Sequence, residues 1–258
     1  MASLRPGGKI ALFFPMTLWP PPHSDFPALT ESVHVWAVQL DQEGVDLQHA
    51  RELISADETE RAARFMFDRD RRRYLVAHVA LHKILNRYLP GAPVNLSFDV
   101  GPNGKPRLPD TFATSEVRFN LSHSHEIALF AVTQGREIGV DIEYVNEQFE
   151  FQDIAEKFFT AKEVGAMRSL APALQRRAFF KCWTSKEAFL KAKGTGLSGK
   201  LDEVEISLAA DERVQINAAV PGWTLTELRS ADGYEAAVVI EGEPLTIQCF
   251  GWASSLAH

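Results

Sequence analysis

Short runs in which apolar and polar residues alternate recur along the chain, and longer helical periods separate them. VHVWAVQL at 33–40, EIALFAVTQG at 126–135, IGVDIEYV at 138–145 and YEAAVVIEGE at 234–243 read as strands, and VRFNLSHS at 117–124 reads as a strand running into a polar loop. Ser55-Ala56-Asp57-Glu58 and Thr160-Ala161-Lys162-Glu163 each place an acid three residues after a hydroxyl cap, which marks a helix start. The segment 177–193 has helical spacing and is ended by Gly194 and Gly196. At about 100° per residue, Phe179, Cys182, Trp183, Phe189 and Leu190 form its apolar stripe, with Lys186 inside the stripe and Glu187 and Lys191 on its edge. Lys181, Ser185 and Ala188 are expected opposite, towards water.

The pattern repeats itself. At an offset of 105, Val33, Val35 and Leu40 fall on Ile138, Val140 and Val145, and the two helix starts coincide. With small gaps, VNLSF at 94–98 matches VEISL at 204–208, and 126–135 matches 234–243. Each half reads strand, helix, helix, strands. The expected fold class is therefore α+β, a pseudo-dimer of two similar subdomains at 31–135 and 136–250. An extended arm at 1–30 precedes them, a tail at 251–258 follows, and a ligand would sit in the cleft between the halves. The repeat also exposes an asymmetry: Trp36 and Val38 correspond to Asp141 and Glu143.

Composition narrows the function. The 258 residues carry a net charge of −7, which disfavours general nucleic-acid binding. Two distant cysteines, Cys182 and Cys249, make neither a disulfide framework nor a zinc motif. The apolar run IALFFPMTLWP at 10–20 is broken by Pro15 and closed by Pro20–Pro22, so neither a membrane span nor a cleaved leader is expected and the cytoplasm is the default location.

Within this frame, Asp141 and Glu143 stand at i and i+2 of a strand and share one face, as ligands of a hard divalent cation would. Alone, such a pair is more often a solvated strand face, and Glu187 with Lys191 more often a surface helix pair. Lys186 in an apolar stripe favours an anionic partner. The run RAARFMFDRDRRR at 61–73 offers guanidinium forks to phosphate, and a solvated helix face is its ordinary alternative. Lys105 projects from the turn GPNGKP, and Ser122 with His123 follow the strand at 117. Adjacent Ser and His make no nucleophile–base pair, and no GxSxG elbow is present, so a serine hydrolase is excluded.

Taken in order, the arginine cluster, GPNGKPRLP, FNLSHS, GVDIE, FFTAKE and FFKCWTSKEAFLKAKGTGLS resemble the surfactin-synthetase-activating type of 4′-phosphopantetheinyl transferase, the subgroup with tryptophan and Lys-Glu-Ala on the last helix. The resemblance spans about residues 30–250 and implies a monomeric pseudo-dimer. It implies transfer of phosphopantetheine from coenzyme A to a serine of an apo acyl or peptidyl carrier protein, with release of 3′,5′-ADP. Asp141, Glu143 and Glu187 would hold Mg²⁺, or Mn²⁺ in its place. Lys186 and Lys191 would contact the pyrophosphate, and His123 a phosphate oxygen. Arg73, with Arg64 or Arg61, would read the 3′-phosphate, and Lys105 and Ser122 would line the nucleotide pocket. Asp141, Glu187 and Lys191 would carry the chemistry, Glu187 as ligand, base or both. A pyrophosphate hydrolase, or a non-catalytic module binding coenzyme A or carriers, are the competing readings.

Overall fold

The computed structural model describes residues 19–22, 28–42, 46–196, 201, 204–208, 214–215 and 221–252. The first half contains β1 (Ser32–Gln39), α1 (Leu47–Glu52), α2 (Ala56–Ala63), α3 (Asp68–Leu85), β2 (Asp99–Val100), β3 (Pro106–Arg107), β4 (Val117–Ser124) and β5 (Ile127–Gln134). The second contains β6 (Ile138–Tyr144), α4 (Gln152–Phe158), α5 (Ala161–Ser169), α6 (Pro172–Lys193), β7 (Ser207–Leu208), β8 (Val214–Gln215), β9 (Trp223–Leu228) and β10 (Tyr234–Glu241), and β11 (Thr246–Gly251) ends the series.

The repeat is visible in the topology. The antiparallel order β1-β5-β4 of one sheet recurs as β6-β10-β9 in the other, and the hairpins β2–β3 and β7–β8 hold equivalent places. Ser55 caps α2 and Thr160 caps α5, each closing a full capping box with Glu58 or Glu163. The chain is the expected α+β pseudo-dimer. VNLSF does not join a ladder: Leu96 packs inward and Phe98 packs against the same core, as alternation demands, but the first hairpin begins only at Asp99.

The core is built in three apolar layers, and the middle one joins the halves. Trp36, Val38 and Phe130 pack on Leu81 and Ile84 of α3. The opposite faces of β1 and β5, with Val33, Val35 and Leu129, pack on Ile138, Val140, Ile142 and Val238 of the second sheet. Ala237 and Val239 then pack on Phe179, Cys182 and Phe189 of α6. The helix α6 is enclosed on more than one side, so Lys181, Ser185 and Ala188, expected in water, are buried. Lys181 is compensated there by Glu227 and, at 4.0 Å, by Glu235.

Two boundaries differ from expectation. The strand β11, counted with the second half, runs parallel to β1 in the first sheet, where it covers an edge that would otherwise leave unpaired backbone groups. Trp19, expected in a surface arm, is buried among residues of the inter-sheet core and donates from Nε1 to Arg229 O at 3.2 Å. The rest of the arm, save 20–22 and 28–30, and tail positions 253–258 lie outside the described residues.

One glycine sets the spacing between β6 and α6. A Cβ on Gly139 would stand 2.1 Å from Ala188 O and 2.3 Å from Ala192 N, both helix backbone atoms that no rotamer change can move. Gly139→Ala is therefore expected to cost about 3 kcal/mol, the upper end for overpacking. A chemical-denaturation midpoint equal to that of the parent would show that the helix does not lie this close.

Candidate active site

Because Gly139, Asp141 and Glu143 alternate along β6, the face that lets α6 approach also carries the two acids. On α6, Glu187 and Lys191 are one turn apart and reach the same place. Lys191 Nζ donates to Asp141 Oδ1 at 2.7 Å and to Ser122 Oγ at 2.8 Å. Ser122 in turn donates to the same Oδ1 at 2.7 Å. The equivalent positions of the first half have no such chemistry, since Arg87 lies over the Trp36 ring at 5.4 Å.

The seam is stitched from β4. Asn120, Ser122 and Ser124 share one strand face, and Asn120 Oδ1 accepts from Val140 N at 2.9 Å. Ser124 Oγ accepts from Tyr144 N at 3.0 Å and donates to Glu143 Oε2 at 2.9 Å. The i, i+2 spacing of these three residues is legible in FNLSHS, although Asn120 and Ser124 were not singled out from sequence.

The acids are held in tension. Burial, and then the Asp141 charge, raise the Glu143 carboxyl to about 7 against the hydrogen bond from Ser124. Burial, followed again by Asp141, also raises Glu187. Asp141 Oδ2 and Glu187 Oε1 are buried with no hydrogen-bond partner. Among the described residues no three His, Cys, Asp or Glu side chains already form a metal cage. The donor set nonetheless fits a hard cation: carboxylate oxygens only, two of them unpartnered, with like charges to be neutralised.

Glu143 gives a pH signature. Its native pKa of about 7 exceeds the ordinary 4.5, so the native state keeps a proton that the unfolded state has released. The associated stability is fully present below about 4.5 and is lost as pH rises through about 7. With EDTA present, the parent is expected to lose more stability between about pH 5 and 8 than Glu143→Gln does. Parallel melting curves for the two proteins would remove the burial of this carboxyl from the account.

Beside the acids, on the opposite face of β4 from Ser122, His123 opens onto a cavity of 380 Å³ lined also by Arg69, Asp70, Arg73, Tyr74 and His78. Protein packed around His123, and then the charge of Lys191, lower its pKa. The arginine run straddles the break between α2 and α3, which separates its members. Arg73 faces the cavity, whereas Arg64 is exposed in a neighbouring depression with Arg61 and lies 3.8 Å from Glu60. Tyr74 stacks on His78 at 4.0 Å, and neither was anticipated.

Three expected contacts are placed differently. Lys186 is fully buried and points away from the acids: Nζ reaches Glu163 at 2.8 Å, Leu201 O at 2.7 Å and Val204 O at 2.5 Å. These partners take all the donors of an ammonium. At offset 104, His82 holds the equivalent place and meets the capping-box Glu58 at 2.7 Å, so the Glu163–Lys186 pair is the second copy of a scaffold contact. Lys105 folds back on Glu137 at 2.8 Å and on Ile138 O and Ala192 O, both at 3.1 Å, tying the GPNGKP loop to the end of α6. Ser122 belongs to the acid cluster and does not line the cavity.

Comparison with known proteins agrees with this arrangement. Residues 137–239 match the 4′-phosphopantetheinyl transferase superfamily, and residues 41–135 match the N-terminal region of 4′-phosphopantetheinyl transferases. The chain is 40% identical over 240 residues to the 4′-phosphopantetheinyl transferase HetI of Nostoc sp., covering 93% of this chain and 98% of that protein. It is 30% identical to the 4′-phosphopantetheinyl transferase Sfp of Bacillus subtilis over 63% of this chain and 70% of the relative. With both halves matched and the acids at their seam, the chain belongs to the 4′-phosphopantetheinyl transferase family.

Proposed function

We infer that the protein transfers the 4′-phosphopantetheine group of coenzyme A to a serine of an apo acyl or peptidyl carrier protein, releasing 3′,5′-ADP. The observation that carries this reading is the acid cluster with Lys191, set at the seam beside the Arg73–His123 cavity. Binding follows from charge. Arg73 reads the adenosine 3′-phosphate in the cavity, and His123 on its wall meets a phosphate oxygen. Lys191 can shift from Asp141 to the pyrophosphate, and Lys105 supports the nucleotide side indirectly by fixing its loop.

In the reaction the carrier serine oxygen bonds to the β-phosphorus, the bond from that phosphorus to the bridging oxygen breaks, and the electron pair leaves with 3′,5′-ADP. Glu187, which lies beside Asp141 and whose carboxyl is raised by burial and then by the Asp141 charge, takes the serine proton directly or through water. Lys191 places positive charge where the leaving group gains negative charge. Asp141, Glu143 and Glu187 would hold Mg²⁺, or Mn²⁺, which when bound supplies charge neutralisation on the phosphates. The protein acts as a monomer, because both halves of the seam lie in one chain, and the cytoplasm is the location that the sequence leads one to expect. Among the described residues no helix is long and apolar enough to cross a membrane.

The test is to incubate the protein with coenzyme A, Mg²⁺ and a panel of apo acyl and peptidyl carriers, and to weigh the carriers. A phosphopantetheine adduct on one of them is expected. Release of 3′,5′-ADP without any carrier would indicate a hydrolase, and binding with neither product would indicate a non-catalytic module.

A further inference from the structure

Arg73 on the cavity wall is paired with an acid, Asp41, to which the reaction assigns no part. Asp41, just beyond the end of β1, accepts from Arg73 Nε at 2.7 Å through Oδ1 and from Arg73 Nη2 at 2.5 Å through Oδ2. This is a two-pronged grip on one edge of the guanidinium. The Arg73 side chain is 17% exposed and that of Asp41 42% exposed, so the carboxylate approaches from the outer side. Arg73 lines the cavity and Asp41 does not. A guanidinium has five N–H donors. Asp41 occupies two on one edge, which leaves both hydrogens of Nη1 and one of Nη2 for a ligand. The strand end beneath Asp41 is pinned, because Leu40 N donates to Glu126 O at 2.7 Å.

We propose that Asp41 is a positioning residue that fixes the Arg73 fork with its free edge towards the cavity, and so sets the preference for a coenzyme A bearing the 3′-phosphate over one lacking it. The inference rests on the reading of Arg73 given above. A bidentate pair has one planar arrangement, and an arginine on a helix would otherwise spread its guanidinium over many rotamers. The depressed Asp41 carboxyl and the raised Arg73 guanidinium both have their mutual hydrogen bond as the leading favourable cause, consistent with a pair already formed before ligand arrives. The alternative role, a carboxylate that competes with phosphate for Arg73, predicts the opposite sign on its removal.

The experiment measures KM and kcat for coenzyme A and for 3′-dephospho-coenzyme A with the parent, Asp41→Ala, Asp41→Asn, Arg73→Ala and the double Asp41→Ala/Arg73→Ala protein. In Asp41→Ala the ratio of kcat/KM for the two substrates should fall by about tenfold, chiefly through KM for coenzyme A. Asp41→Asn, which keeps one acceptor oxygen in place, should fall between it and the parent. The double variant should be no less selective than Arg73→Ala alone. If Arg73→Ala loses the preference and Asp41→Ala keeps or increases it, the positioning role is overturned and the phosphate reading of Arg73 stands. If Arg73→Ala itself keeps the preference, that reading is overturned and the proposal with it.

Discussion

Asp141→Asn is expected to fold as the parent does and to transfer phosphopantetheine about 10³-fold more slowly, with no response to added Mg²⁺. The amide keeps the size of the carboxyl and can present oxygen to Ser122 and Lys191, which meet Oδ1 at 2.7 Å each. What it loses is charge. It also places an N–H₂ donor where the unpartnered Oδ2 now sits. A hard cation finds no ligand in that group. Stability should change little, since losing the ion pair to Lys191 is offset by relief of repulsion on Glu143 and Glu187, both raised by burial and then by the Asp141 charge. Two measurements decide: mass-spectrometric carrier modification against Mg²⁺ concentration, and thermal melts in EDTA. Parent-like Mg²⁺ dependence in the Asn protein would sink the ligand assignment.

How much of this could be read from the chain depends on whether a contact is local or crosses the seam. The duplication was legible because equivalent strands and capping boxes keep their order, and the exchange of Trp36 and Val38 for Asp141 and Glu143 marked the half that holds the acids. The face shared by Glu187 and Lys191 follows from helical spacing alone. Long-range partners do not. The return of β11 to β1 and the burial of Trp19 depend on edges that exist only once both sheets are formed. Periodicity placed Lys181, Ser185 and Ala188 in water because it assumes that a helix packs on one side, and α6 is enclosed by the second sheet as well as by α5. The stripe correctly marked Lys186 as needing an anion, but no local rule says whether that anion is a ligand phosphate or Glu163, whose own side chain is fully buried.

That last distinction gives the sharpest separation of scaffold from chemistry. Lys186→Met leaves the carboxylate of Glu163, still bonded to Thr160 N at 2.7 Å and Ile206 N at 2.6 Å, without its cation in a fully buried site. Breaking such a pair from one side costs about 3–5 kcal/mol, and the loss should be the same with EDTA or Mg²⁺. Adding Glu163→Gln should recover part of it, because no buried charge then remains uncompensated, although the amide has one acceptor oxygen for the two backbone donors Thr160 N and Ile206 N. At temperatures where Lys186→Met is folded, its KM for coenzyme A should match the parent value. Lys191→Met should behave in the opposite way. Its side chain is 29% exposed, and its departure leaves three acids facing one another, so the melt falls in EDTA and recovers as Mg²⁺ takes over the neutralisation. Transfer should stay low by about 10²–10³-fold even when the metal has restored the fold, because no cation from the protein then meets the leaving group. A Lys186→Met protein that melts like the parent yet binds coenzyme A poorly would return that lysine to the pyrophosphate, and would mean that the Glu163 contact opens when ligand arrives.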